Sequence, residues 1–204
     1  MLSFISICLA FDYWYNPTIH NFGNTGAMGN IHAVLSPYFT KLIDIKAYNG
    51  VDIRKKVYEN LEGSTVDLCC GTGFSTRPGG LGVDTSREML RFSNFFNPGS
   101  TYVYGNAETY GNDFEFDTVS CMFAFHEIPS EGHNNIIKNS IRISRKKIII
   151  VDISTDYKPS KMMLSGEPYI LDYLKNIDAT MEKFGFSKEI LIENHVNMWT
   201  YTKM

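Results

Sequence analysis

Val66-Asp67-Leu68-Cys69-Cys70-Gly71-Thr72-Gly73-Phe74-Ser75-Thr76 is the stretch from which the fold is read. It begins as a short apolar strand over 65–69 and breaks into a turn that holds two glycines one residue apart. Glycine reaches the backbone angles such a turn needs, and its missing side chain lets a ligand approach the main chain. In open α/β sheets, ligands sit beyond the carboxyl ends of the strands, where strand order reverses. A loop of this kind after a first strand therefore marks a nucleotide-type site. The glycine pair alone is a weak sign, because loops of unrelated proteins match it often.

Beyond this stretch, apolar runs at 81–84, 101–104, 116–123 and 147–153 read as further strands, and 86–96 and 131–143 as helices between them. Strand–helix alternation predicts a mostly parallel sheet covered on both faces. The Ile-Ile-Ile-Val run at 148–151 suits a central, buried strand. After it, 167–184 reads as a helix, and 187–194 with 196–203 as an antiparallel hairpin closing the sheet. Before the first strand, an aromatic cluster, Phe11-Asp12-Tyr13-Trp14-Tyr15, leads into a Gly/Asn-rich loop over 21–30. Helical spacing then runs over 31–48 with an interruption at Pro37, and a short helix is predicted over 52–61. The expected organisation is one domain over 1–204: a helical leader or lid at 1–60, a core at 61–155 and a C-terminal helix with hairpin at 156–204.

Composition narrows the function. With 204 residues, 44% of them hydrophobic and 20% charged, the chain fits a globular α/β domain with a real core. A formal net charge of −3 lacks the basic surplus of proteins that grip phosphate backbones, which disfavours nucleic acid as a partner. Cys8, Cys69, Cys70 and Cys121 show no C-x-x-C spacing, so neither a metal site nor a disulfide framework is indicated, and reduced thiols in a cytoplasmic protein are the simple reading. The apolar stretch 2–11 is far shorter than the roughly 20 residues of a membrane span. It also lacks the basic opening of a secretory signal. A buried strand or helix start is expected there, with a signal peptide as the alternative.

The residues after the glycine turn make the site specific. Asp84 ends the second strand, where a carboxylate, an acceptor-only group, can receive both hydroxyls of a ribose. Thr85 and Glu88 read as a capping box for the next helix. The third strand ends at Gly105-Asn106-Ala107-Glu108, which offers polar groups to an adenine edge. Together, Asp67-Leu68-Cys69-Cys70-Gly71-Thr72-Gly73, Gly82-Val83-Asp84-Thr85-Ser86-Arg87-Glu88-Met89-Leu90, Asn106-Ala107 and Phe116-Asp117-Thr118-Val119 resemble the class I S-adenosylmethionine (SAM)-dependent methyltransferases. The resemblance is to the branch around the ubiquinone and menaquinone methyltransferases, with its DLGCGTG, GxDxSxxML, DA and FDxV motifs, and covers about 60–155. It implies a Rossmann-like fold, SAM as cofactor and a role for each matched residue. The Asp67–Gly73 loop, with Leu68, Cys69, Cys70 and Gly71, would wrap the methionine part. Asp84 and Thr85 would hold the ribose side, and Met89, Asn106, Ala107 and Glu108 the adenine side. Phe123 and Ala124 would border the transfer site.

Three departures from the pattern stand out. Cys69 replaces the first glycine, which requires a backbone that a Cβ tolerates. Asn106 replaces an acid but keeps a carbonyl acceptor. The 70–80 crossover leaves room for only a turn or two of helix. A dinucleotide site competes, but Thr76 stands where its third glycine belongs and Asp84 follows Gly73 too closely. His126 and Glu127 follow the fourth strand, and His126, with an ordinary pKa near 6.5, suits a base toward the acceptor; a capping role is the plainer alternative. Tyr13, Tyr15, His20 and Tyr169 are candidate substrate contacts, with Glu167, Asp172 and Tyr173 nearby, though core packing explains such residues too. Arg142, Arg145, Lys146 and Lys147 read as a helix-end cluster. The expected reaction is methyl transfer to a small molecule. A nucleic-acid or protein methyltransferase and a noncatalytic SAM-binding protein remain as alternatives.

Overall fold

The structure is a computed structural model and describes residues 23–203. In chain order the elements are α1 (Gly26–Ala47), α2 (Ile53–Tyr58), β1 (Thr65–Leu68), β2 (Leu81–Asp84), α3 (Arg87–Phe96), β3 (Thr101–Tyr104), β4 (Phe116–Met122), a 3-10 turn (Phe125–Glu127), α4 (Ser130–Ile143), β5 (Ser144–Ile153), α5 (Lys161–Gly166), α6 (Ile170–Lys183), β6 (Ser187–Ile192) and β7 (Val196–Thr202). The seven strands form one sheet in the order β3-β2-β1-β4-β5-β7-β6. β1 to β5 pair in parallel, and β7 runs antiparallel to both β5 and β6. This is the expected Rossmann-like α/β fold with an antiparallel C-terminal hairpin.

Strand alternation divides the core into two layers. Successive side chains of a strand face opposite sides. Ile148 and Ile150 of β5 thus join Phe125, Ile136, Ile137, Tyr173, Ile177 and Trp199 in the layer under α4 and α6. Ile149 and Val151 join Tyr48, Ile53, Val57 and Val196 in the layer under α2. A strand buried on both faces must be apolar at every position, which is why 148–151 reads as an unbroken run.

Three local expectations need correction. α1 passes through Pro37 without a break. Proline has no N–H for the carbonyl one turn back, and here the Ser36 hydroxyl donates to Ala33 O at 2.9 Å instead. The 70–80 crossover contains no helix; it is a chain of turns. The N-cap of α3 is Ser86, not Thr85: its Oγ accepts from Met89 N at 3.1 Å, while Glu88 Oε1 accepts from Gly26 N at 2.8 Å. The expected helix over 167–184 is present as α6, which begins at Ile170 just past Pro168, and the short α5 lies before it.

Candidate active site

The carboxyl ends of β1, β2, β3 and β4 open into a cavity of about 220 Å³. Beside it, toward β5, lies a second cavity of about 590 Å³. The two share His32, Ser36, Thr40, Arg54, Phe123 and Glu127 in their walls. Strand order reverses at β1 and β4, where a crevice is expected in a sheet of this kind.

The loop after β1 is shaped by strain and by a buried acid. Cys69 has φ 59° and Gly71 φ 52°, so the Cys69 backbone is in the left-handed region a Cβ resists, contrary to the sequence expectation. A side chain at Gly71 would meet open space, so this glycine leaves room rather than relieving a clash. Gly73 differs: a Cβ there would lie 2.5 Å from the Tyr102 hydroxyl, and the residue serves packing outside the cavity. Asp67 is 2% exposed and does not line the cavity. Its Oδ2 accepts from the Ser75 and Thr76 hydroxyls at 2.7 and 2.9 Å, and its Oδ1 from Ser120 at 3.1 Å. Those bonds hold the helix-free crossover onto β1 and β4. Burial pushes the Asp67 pKa up to about 6, against the pull of the three hydroxyls.

Asp84 is half-buried at the end of β2. Its Oδ2 accepts from Gly71 N and its Oδ1 from Ser86 N, both at 2.8 Å. Burial raises its pKa while those two N–H groups lower it. A carboxylate has about four lone-pair sites, so each oxygen keeps capacity for a ligand. Thr85, Met89 and Ala107 complete this end of the first cavity. Asn106 lines it too, but its Oδ1 accepts from Glu108 N at 2.8 Å. What Asn106 offers a ligand is its NH2 rather than the carbonyl expected from sequence. Leu68 is fully buried in the core, and Glu108 accepts from Asn135 Nδ2 at 2.7 Å outside the cavity wall.

Past β4, Phe123 takes φ 56°, stacks on Tyr48 with centroids 6.2 Å apart, and carries the Arg54 guanidinium 4.2 Å above its ring. Cys69, Cys70, Gly71, Phe123 and Ala124 all line the first cavity. Glu127 lines both cavities and His126 the second. His126 Nδ1 lies 2.6 Å from Asp152 Oδ1, its backbone N–H donates to Asp152 Oδ2 at 3.2 Å, and its Nε2 lies 3.8 Å from Glu127 Oε1. Burial, the largest single influence, disfavours the charged ring. Asp152, Glu127 and Glu167 together outweigh it and push the His126 pKa up to about 9. The imidazole is then protonated at neutral pH and has no lone pair to receive a proton, which argues against the free base expected from sequence.

The remaining candidates separate. Tyr13, Tyr15 and His20 lie outside the described residues. Tyr169 caps α6 and lines neither cavity, whereas Glu167 lines the second. Tyr173 is fully buried, its hydroxyl donating to Ile153 O at 2.6 Å, and Asp172 accepts from the Ser130 hydroxyl. Arg142, Arg145 and Lys146 bind carbonyls and the carboxylates of Asp113 and Asp117 near the start of β5, at the end of the strands opposite the cavities. Sequence reading missed Arg54, Thr40 and Asp152. For Asp152 a signal existed: a charge inside an otherwise apolar strand needs a partner.

No protein-family model matches the chain, and no curated protein matches it. Solved structures do. A SAM-dependent methyltransferase from Thermotoga maritima, described as a possible histamine N-methyltransferase, is 18% identical with a TM-score of 0.60, covering 85% of this chain and 98% of its own. A SAM-dependent methyltransferase from Aquifex aeolicus is 14% identical with a TM-score of 0.57, covering 82% of this chain and 98% of its own. A TehB-like SAM-dependent methyltransferase from Corynebacterium glutamicum, also 14% identical with a TM-score of 0.57, covers 85% of this chain and 99% of its own. At such identities what is shared is the fold: the chain has the fold of these methyltransferases.

Proposed function

We propose that the chain is a SAM-dependent methyltransferase acting on a small molecule. The observation that carries this reading is the cradle at the ends of β1 and β2. There Asp84 and the Gly71 backbone, joined by a 2.8 Å hydrogen bond, face one cavity that Asn106, Ala107 and Met89 complete. The residues fit the cofactor: Asp84 has spare acceptor capacity for the ribose, Asn106 an NH2 for the adenine edge, and Gly71 open space where a side chain would intrude. When bound, SAM supplies a methyl group on a sulfonium, which needs neither a metal nor a covalent intermediate.

The chain's own residues then position and exclude. Holding reactants in line and away from water is the main demand of such a transfer. The second cavity, with Phe39, Tyr48 and Tyr157 among its lining residues, suits an acceptor body with apolar surface. We assign proton acceptance, where the acceptor requires it, to Glu127, which lines both cavities. His126, held charged by Asp152, is a positioning residue beside it. The cations Arg142, Arg145 and Lys146, at the end of the strands opposite the cavities, are bonded to the chain itself, and no feature of the cavities favours a nucleic acid or protein acceptor. Kinship with the ubiquinone and menaquinone branch rests on the four sequence motifs. Among the described residues no helix is long and apolar enough to cross a membrane.

Calorimetric titration with SAM and with its demethylated product, S-adenosylhomocysteine, tests the reading. Binding is expected for both, weakened roughly tenfold or more in Asp84→Ala, which removes charge-assisted bonds. Folded protein that binds neither ligand would sink it.

A further inference from the structure

We propose that Arg54 is a carboxylate-binding residue at the junction of the two cavities. Arg54 lines both. Its side chain is 15% exposed, yet Nη1 has no hydrogen-bond partner, and the nearest carboxylate oxygen, Asp44 Oδ1, stands 3.8 Å away and is equally unbonded. Buried polar groups are almost always bonded, and an exception calls for a missing partner. Two structural supports hold the cation in place without satisfying it: the Phe123 ring 4.2 Å beneath it, and the short helix α2, whose N-cap Asp52 accepts from Lys55 N at 2.9 Å. Burial lowers the Arg54 pKa, while Tyr48 and Asp44 raise it; an arginine stays charged through such a change.

The surroundings define the chemistry of the missing partner. A planar fork matches a carboxylate. Glu127 lines both cavities and Glu167 the second, and they oppose a more highly charged group such as a phosphate dianion. Two carriers of a carboxylate fit. β2 and β4 are separated by β1, so their ends lie about 10 Å apart, two strand spacings. A ligand whose ribose meets Asp84 therefore presents its far end near Phe123 and Arg54, and in SAM that end is an amino acid. The alternative carrier is an acidic acceptor in the second cavity. The first source rests on the methyl-transfer reading; the second does not.

The experiment is isothermal titration of wild type, Arg54→Gln and Arg54→Lys with three probes: S-adenosylhomocysteine, 5′-methylthioadenosine, which lacks the amino-acid end, and benzoate. If the cofactor supplies the carboxylate, Arg54→Gln weakens S-adenosylhomocysteine roughly tenfold or more and leaves 5′-methylthioadenosine unchanged. Arg54→Lys, which keeps the charge, recovers part of the loss and shows that the site is folded. If the acceptor supplies it, S-adenosylhomocysteine binding is unchanged and benzoate binding to wild type disappears in Arg54→Gln. Equal weakening of both adenosine ligands, or no effect on any probe, overturns the proposal. Wild type that binds neither adenosine ligand defeats the methyl-transfer reading instead, and benzoate alone then decides for or against Arg54.

Discussion

A histidine enclosed by carboxylates behaves as a fixed cation, and His126 shows how completely environment overrides residue type. Its pKa in the fold, about 9, lies above the ordinary value near 6.5. Its contribution to stability is therefore fully present below about pH 6.5 and is lost as pH rises through about 9. Urea denaturation of wild type should show stability falling between those limits. In Asp152→Asn that slope should flatten, because the partner that holds the proton is gone. Equal slopes in the two proteins would show that Asp152 does not hold it. At this scale the sequence was only partly legible. The sequence reading placed Asp84, Met89 and Phe123 at the cavity they line, because two follow strand ends and one the helix after β2, all revealed by the apolar pattern. Arg54 was invisible, since it precedes the core and reaches the site through a helix whose docking no local pattern encodes. Cys69 was visible but misjudged: one residue's type does not disclose that its φ is 59°.

Among the elements, α1 is the one whose position matters most to the cavities. It supplies His32, Ser36 and Thr40 to both. Polar bonds tie its N-terminal half to the core: Gly26 N to Glu88, Asn24 O to the Ser86 hydroxyl at 2.5 Å, Asn30 Oδ1 to Arg91 Nη1 at 3.2 Å, and Ser36 Oγ to Thr72 Oγ1 at 3.0 Å. Deuterium exchange should report this directly. In Glu88→Ala, amides of residues 26–36 should exchange about fivefold faster, the equivalent of one lost hydrogen bond of about 1 kcal/mol, while β4 and β5 stay protected. Glu88→Gln, which keeps an acceptor, should sit between. Unchanged exchange would mean that other contacts fix the helix. Strand and helix positions over 65–153 were read from sequence almost residue by residue, because each strand is short, apolar and bounded by turn residues. The crossover was misread and the six-residue α5 missed, because a buried acid bonding three hydroxyls, or a helix of under two turns, leaves no periodic trace.

For the molecule as a whole, β7 holds the central problem. It lies between β5 and β6 and pairs with β5 along seven residues, from Ile153 opposite Val196 to Lys147 opposite Thr202. Trp199 at its centre is 1% exposed, packs in the layer under α4 and α6, and donates from Nε1 to Asp178 Oδ1 at 3.3 Å. Trp199→Ala should cost about 3–5 kcal/mol in chemical denaturation, as large buried side chains do when truncated. A cost below about 1 kcal/mol would show that the hairpin is an appendage rather than part of the core. The arrangement also bears on how the molecule is made. A ribosome delivers β5 long before β7, so the flank of β5, with its row of unpaired backbone groups, waits exposed while some 40 further residues are synthesised. Until β7 emerges, the sheet stays open along that flank. In the crowded cell that interval is when it is most open to pairing with a stranger, and when a chaperone would be of most use to it.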